Sequence, residues 1–236
     1  MHAMSSERGV ALVVALMAMT MMMALGTALV LTTATDSKIA RNFQLASEAT
    51  YAADAILERT LDDILAAHDW NALLSGAVRS TFVDGTPDGV RTLADGSAID
   101  LGQVINTANC QKPTPCSNDD MDKVTADRPW GLDNPRWKMF AWGRLSALTP
   151  TGSVNSPFYV LLLVGDDPSE CDNNPLVDGG PPIPPCGGEA EFNPGVGVLS
   201  LRAEAFGPFG THKTIEATIA RDSNSAVRML SWREAR

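Results

Sequence analysis

Four cysteines are the residues in this sequence whose types and spacing most directly suggest covalent chemistry. Cys110 and Cys116 are separated by five residues, and Cys171 and Cys186 by fourteen, all in polar or proline-rich segments. Neither spacing is that of a zinc knuckle, and no histidine lies near either pair in sequence. An even number of cysteines in loops favours disulfides and an oxidising compartment, with pairing of sequence neighbours as the simplest of three connectivities.

Two acidic clusters raise the question of calcium. The first, SNDDMD at residues 117–122, places oxygen ligands at alternate positions, but Lys123 stands where a calcium loop needs glycine. The second lies within GDDPSECDNN at residues 165–174, and later carboxylates follow it at no standard offset. The carboxylates in and after this second cluster are Asp166, Asp167, Glu170, Asp172, Asp178 and Glu189. Solvated acidic loops are the expected interpretation, and no metal site is predicted.

The three histidines suggest no catalytic apparatus. His2, His68 and His212 lie far apart in sequence, and none belongs to a recognisable nucleophile or metal motif. We therefore predict a protein that is not an enzyme, without catalytic residues or cofactors. The chain of 236 residues has 28 acidic and 18 basic side chains, a net charge of −10. This balance argues against nucleic acid as a partner, because phosphate binding needs clustered lysine and arginine.

An uncharged segment near the N-terminus has the length and composition of a membrane span. No ionisable side chain occurs between Gly9 and Thr35, and about 20 apolar residues suffice to cross the hydrocarbon core. A buried core helix normally has a polar face, and a cleaved secretory signal has a shorter apolar run, so a retained single-pass helix is favoured. Because the cysteines downstream favour an oxidising compartment, the rest of the chain is expected outside the cytoplasm.

Downstream of this span the sequence predicts more helix and then a sheet. Residues 36–70 lack glycine and proline, and apolar residues recur there at steps of three and four, as in an amphipathic helix. Five later segments between residues 136 and 232 predict strands, with a turn at 222–225 between the last two. The predicted fold class is α+β, in which a long N-terminal helix packs on a C-terminal antiparallel β-sheet domain.

The N-terminal sequence resembles that of the PilX-type minor pilins of type IV pili. The resemblance rests on RGVALVVAL at residues 8–16 and on ARNFQLASEATYAADAILER at residues 40–59. The ending TIEATIARDSNSAVRMLSWREAR, residues 214–236, is also similar to the C-termini of this group. The middle of the chain contributes nothing to the resemblance. A type IV pilin-like fold is what it implies.

The resemblance also implies how the chain is processed and divided. A prepilin peptidase would remove residues 1–9 by cutting after Gly9, leaving an N-methylated Val10. Residues 10–35 would be the transmembrane helix, 36–70 the amphipathic periplasmic helix, and 71–236 the sheet domain with disulfide-clamped loops. The subunit would span the inner membrane once, with its C-terminal domain in the periplasm, and later join an extracellular pilus with other minor and major pilins. The helix residues implied in subunit packing are Val14, Leu16, Leu25, Leu29, Ile39 and Phe43.

One position departs from the pattern of major pilins. Those pilins carry a glutamate four residues after the mature N-terminus, where this chain has Val14. An uncharged residue inserts into hydrocarbon easily but offers no charge to a neighbour's amine, which favours a low-copy subunit of a priming or tip complex. Contributions to adhesion, aggregation or twitching motility would follow. A GspK-like minor pseudopilin of type II secretion is one alternative, and a membrane-anchored periplasmic binding or sensor module is another.

Overall fold

A computed structural model of the chain describes residues 7–123, 130–148, 155–170, 172–181, 183, 195–221 and 226–235. The chain forms two compact units, Met1–Gln44 and Leu45–Arg236. Helix α1, Glu7–Ala66, supplies the described part of the first unit and the first element of the second. Predicted features at residues 1–6, at Cys171 and Cys186, and at the turn 222–225 lie outside the described residues.

The second unit is built on a five-stranded antiparallel sheet whose spatial order, β3-β4-β5-β6-β7, follows the chain order. A two-stranded antiparallel hairpin, β1 and β2, precedes it. The strands are β1 Val90–Thr92, β2 Ala98–Asp100, β3 Lys138–Arg144, β4 Tyr159–Asp166, β5 Val198–Phe206, β6 His212–Arg221 and β7 Val227–Ala235. The shorter helices are α2 Trp70–Leu74, α3 Leu101–Cys110 and α4 Asn118–Asp122, with 3₁₀ turns at Gly131–Asp133, Leu145–Ala147 and Pro208–Gly210.

One face of the sheet packs against the C-terminal part of α1. The apolar residues of this part recur every three or four positions, so they form a single stripe along the helix. Ala49, Ala53 and Ile56 in that stripe are fully buried. The strands alternate in the complementary way, since Ile215 and Ile219 of β6 are buried in the same core. This core holds the helix and the sheet together.

The opposite face is covered only over part of the sheet. Trp137, Trp142, Leu161 and Leu163 on β3, β4 and the segment before them pack with Leu101 of α3 in a second core. Strand β4 is therefore buried along its whole length, which explains its continuous apolar sequence YVLLLV. Strand β7, at the edge of the sheet, is mostly exposed.

The predicted α+β class is confirmed by the long apolar helix and the antiparallel sheet. All five segments predicted as strands form strands of the main sheet. The amphipathic helix ends at Ala66 rather than at the expected Trp70, which instead begins α2 behind an N-cap at Asp69.

Candidate functional site

The N-terminal half of α1 exposes apolar side chains around its whole circumference. The residues implied in subunit packing, Val14, Leu16, Leu25, Leu29, Ile39 and Phe43, are each more than half exposed. Monomeric soluble proteins rarely expose a contiguous apolar surface of such length, so this part of the helix is an interaction surface or a lipid contact. By length and composition the helix starting at Gly9 is able to cross a membrane, and it is a candidate membrane anchor.

Polar groups within this apolar stretch are satisfied inside the helix. Thr27, Thr32 and Thr33 donate their hydroxyl hydrogens to the carbonyls four residues earlier, over 2.8–2.9 Å. Thr20 and Thr35 make equivalent bonds to preceding carbonyls. In lipid an unpaired polar group costs several kcal/mol. The threonines therefore do not prevent the segment from entering a dry environment.

The predicted cleavage position lies in the first turn of α1. Gly9 and Val10 follow the first helical residue, Glu7, closely, and both are exposed. The first four N–H groups of a helix lack partners within it, and glycine is the weakest helix former after proline. The Gly9–Val10 peptide bond is therefore in the part of α1 that unwinds at least cost. Val14 lies one turn further along.

The end of α1 is held by a residue that the sequence patterns do not reveal. Arg221, at the end of β6, donates to the carbonyl oxygens of Ala67 at 2.6 Å and His68 at 2.9 Å. Its guanidinium lies 4.3 Å from the centre of the Trp70 ring. Arg221 therefore places a positive charge at the carbonyl end of α1, where a cation is favoured.

A carboxylate near the same end of α1 fastens the segment that follows α2. Asp63 accepts hydrogen bonds from the Ser80 hydroxyl and from the Thr81 N–H at 3.1 Å, and it forms an ion pair with Arg59. Partial burial raises the pKa of Asp63, but the bonds from Ser80 and Thr81 and the charge of Arg59 outweigh that effect and leave the pKa below its ordinary value.

The structure joins one of the two expected cysteine pairs. Cys110, the last residue of α3, forms a disulfide with Cys116. Directly after it, Ser117 begins α4 with a reciprocal capping box to Asp120. The disulfide and the cap together fix the polar loop after α3. Cys171 and Cys186 are not among the described residues.

The second acidic cluster is buried rather than solvated. Asp166, Glu170 and Asp172 are 2%, 1% and 6% exposed. One carboxylate oxygen from each of Asp166, Glu170 and Asp178 lies within 4.8 Å of the other two. Burial and the neighbouring Glu170 charge raise the pKa of Asp166 to about 9. The expectation of solvated acidic loops is therefore wrong for these residues, because the β4–β5 connection folds back over them.

The first acidic cluster behaves as the sequence suggested. Asp119 and Lys123 form an exposed ion pair one helical turn apart, and Asp120 caps α4 and pairs with Lys112. The hydrogen bond from Lys112 and those from Ser117 lower the pKa of Asp120 to about 2. These carboxylates are occupied by protein partners at the surface.

The described histidines have structural contacts. His212 stacks on the Phe206 ring, with centroids 4.3 Å apart, and contacts Glu204 at 2.9 Å. Burial raises the pKa of Glu204, but His212 and Arg202 reverse the effect and hold it below its ordinary value. His68 contributes its carbonyl to Arg221. His2 is outside the described residues.

Comparison with known proteins places the N-terminal helix in a family. The family model described as PilX N-terminal matches residues 8–58, which span the exposed apolar half of α1 and most of its buried stripe. No curated protein and no solved structure matches the chain. This match covers the N-terminal region only, and it supports a PilX-like minor type IV pilin.

Proposed function

We propose that this minor pilin takes part in type IV pilus assembly as a subunit of a priming or tip complex. The main support for this proposal is the exposed N-terminal half of α1, which is apolar on all sides. This half lies within residues 8–58, which match the PilX N-terminal family model. A helix that is apolar on all sides can exchange lipid neighbours for the helices of other pilins, because both surroundings are dry. The sheet domain would remain in water, in the periplasm and later on the pilus.

The proposed maturation is cleavage after Gly9 and methylation of Val10. It is supported by the resemblance around Arg8-Gly9 and by the place of this bond in the first turn of α1. Val14 supports the choice of a priming or tip position over a shaft position. An uncharged residue here gives no partner to the terminal amine of another subunit, so a regular stack of these chains would leave one buried amine per subunit unpaired.

Mass spectrometry of the mature N-terminus tests the proposal most directly. We expect the wild-type chain, isolated from cells with a prepilin peptidase, to begin at N-methylated Val10. Gly9→Val should block processing, whereas Gly26→Val, a matched change in the open middle of the same helix, should leave it intact. A wild-type chain that keeps Met1 would refute the assignment and support a plain membrane anchor.

Deletion of the gene separates pilus assembly from secretion. We expect loss of surface pili, with aggregation and twitching motility reduced in consequence, and restoration by the wild-type gene. If pili form normally and one secreted substrate is retained instead, the pseudopilin function replaces the pilus function. No catalytic activity is proposed for the chain.

A further inference from the structure

The end of β4 and the connection to β5 bring together the carboxylates of Asp166, Glu170 and Asp178, which are four and eight residues apart in sequence. One oxygen each from Asp166, Glu170 and Asp178 lies within 4.8 Å of the other two. A calcium ion binds oxygens at about 2.3–2.6 Å, so two ligands on opposite sides of it are about 5 Å apart. The three oxygens therefore have the separations expected of ligands to a single ion.

Two buried carboxylate oxygens in this cluster have no donor among the described residues. Asp166 Oδ1 is fully buried and accepts no hydrogen bond from any described residue, and the same is true of Asp172 Oδ2. The two side chains are 2% and 6% exposed. Because leaving a buried charged oxygen without a donor or cation costs several kcal/mol, such an oxygen calls for a proton, a water or a bound cation.

The charged side chains that the structure describes near the cluster add more negative than positive charge. The charges of Asp133 and Asp172 act on each other, and the charge of Asp69 acts on Asp178. Arg221 is the positive side chain whose charge acts on Asp178, and its guanidinium is already committed to two carbonyls beyond α1. A divalent cation would supply the charge that these described groups lack.

The backbone holds the carboxylates in place and packs closely around them. The Gly179 N–H donates to both Glu170 oxygens, at 3.0 and 3.2 Å, and the Gly197 N–H donates to Asp178 Oδ1 at 2.7 Å. A Cβ at Gly180 would come within 1.8 Å of Asp172 Oδ2. This close approach requires glycine at 180 and fixes the position of the Asp172 carboxylate.

We propose that Asp166, Glu170 and Asp178, with Asp172 beside them, form a calcium site that fixes the β4–β5 connection against α2. The three ligand residues offer only oxygen, which favours a hard cation over zinc or copper. Calcium accepts irregular oxygen coordination, whereas magnesium demands a near-ideal octahedron, so carboxylates held by one irregular connection favour calcium. The link to α2 is direct, since the Asp178 N–H donates to Asn71 Oδ1 at 2.8 Å. The site would stabilise the sheet domain whether or not the chain enters a pilus.

Calcium titration of the full chain in detergent micelles, after removal of metal with EDTA, tests the site. We expect one saturable calorimetric transition with Kd between about 10⁻⁶ and 10⁻³ M and a Tm that rises with calcium and falls again with EDTA. Asp178→Asn and Glu170→Gln should each weaken binding at least about tenfold. Asp119→Asn, the same charge change in the exposed first acidic cluster, should leave the Kd within about twofold.

Three results would overturn the proposal. Absence of binding and of any Tm change up to about 10 mM calcium would mean that protons alone keep these carboxylates neutral. An unchanged Kd in both ligand variants would place the ion elsewhere, and equal affinity for magnesium would refute selection of calcium. If the variants do not fold, hydrogen exchange of the wild-type chain tests the site instead. Calcium should protect the Gly179 and Gly197 amides from exchange. Protection confined to other segments would contradict the site.

Discussion

Replacement of Arg221 by methionine should destabilise the sheet domain. The guanidinium joins β6 to the two carbonyls directly after α1 and covers the buried Trp70 ring. The last carbonyls of a helix have no intrahelical donors. Methionine keeps much of the side-chain length but removes both hydrogen bonds and the charge at this helix end.

The size of the effect follows from these three contacts. A hydrogen bond from a charged donor contributes about 1.5–3 kcal/mol net, which we reduce to about 1 kcal/mol each because the side chain is partly exposed. The cation–π contact adds about 0.5–1 kcal/mol. The expected loss is about 2–3 kcal/mol, and for a unit of this size about 1 kcal/mol lowers Tm by 2–4 °C. Arg221→Met should therefore lower Tm by about 4–12 °C.

Thermal unfolding of the full chain in micelles, followed by circular dichroism, measures this loss. Arg221→Lys should lose about half as much, because lysine keeps the charge without the two-pronged geometry. Arg228→Met, at an exposed position of β7, is the matched control and should shift Tm by less than about 2 °C. A Tm of Arg221→Met equal to that of the control would refute the role of this residue in joining β6 to α1.

Three further predictions address other parts of the molecule. Ile56→Ala, in the buried stripe of α1, should cost about 2–5 kcal/mol of unfolding free energy. Leu29→Ala, in the exposed half of α1, should leave the Tm of the sheet domain unchanged in micelles. Equal losses in the two variants would contradict the distinction between a buried and an exposed half of α1. Replacing both Cys110 and Cys116 by serine should cost about 2 kcal/mol relative to the oxidised wild type, from the small size of the closed loop, as measured by denaturant titration; an oxidised wild type no more stable than the variant would contradict this. Asp63→Asn should cost about 1–2 kcal/mol of unfolding free energy at pH 7. Because the folded pKa of Asp63 lies below its unfolded value, this stabilisation is present above about pH 3.8 and is lost on acidification. Plots of stability against pH for wild type and variant that stay parallel down to pH 2.5 would contradict this prediction.

The elements that were predicted from the sequence are those marked by a pattern of apolar residues within one short segment. The sequence of β4 is a continuous apolar run, and that of β6 alternates between apolar and polar residues. Both patterns arise because the apolar residues of these strands are buried in the core. The buried stripe of α1 follows for the same reason. Arg221 has no local signal, because it bonds to Ala67 and His68, which lie far away in sequence. The acidic cluster is visible in the sequence, but its burial is not.

The acidic cluster illustrates a limit of motif spacing. A calcium loop is recognised in sequence when one short segment supplies its ligands at fixed offsets. Here Asp166 ends a strand, whereas Glu170 and Asp178 belong to the irregular connection after it. The glycines at 179 and 180 permit the chain to close around them, which sequence reasoning counted only as loop composition. Burial, which the spacing does not encode, distinguishes this cluster from the solvated one beside α4.

The two halves of α1 can lie in different surroundings because the helix backbone needs no hydrogen-bond partner from either of them. Every internal N–H and C=O of an α-helix is paired within the helix, so only the side chains of α1 decide what surrounds it. In the N-terminal half these are predominantly apolar on all sides, and the threonines bond to their own helix. In the C-terminal half, alanines such as Ala49 and Ala53 let the helix approach the sheet closely. The proposed movement of the N-terminal half from lipid to a bundle of pilin helices would therefore require no refolding, and its free energy would depend on helix packing, interhelical hydrogen bonds and lipid entropy.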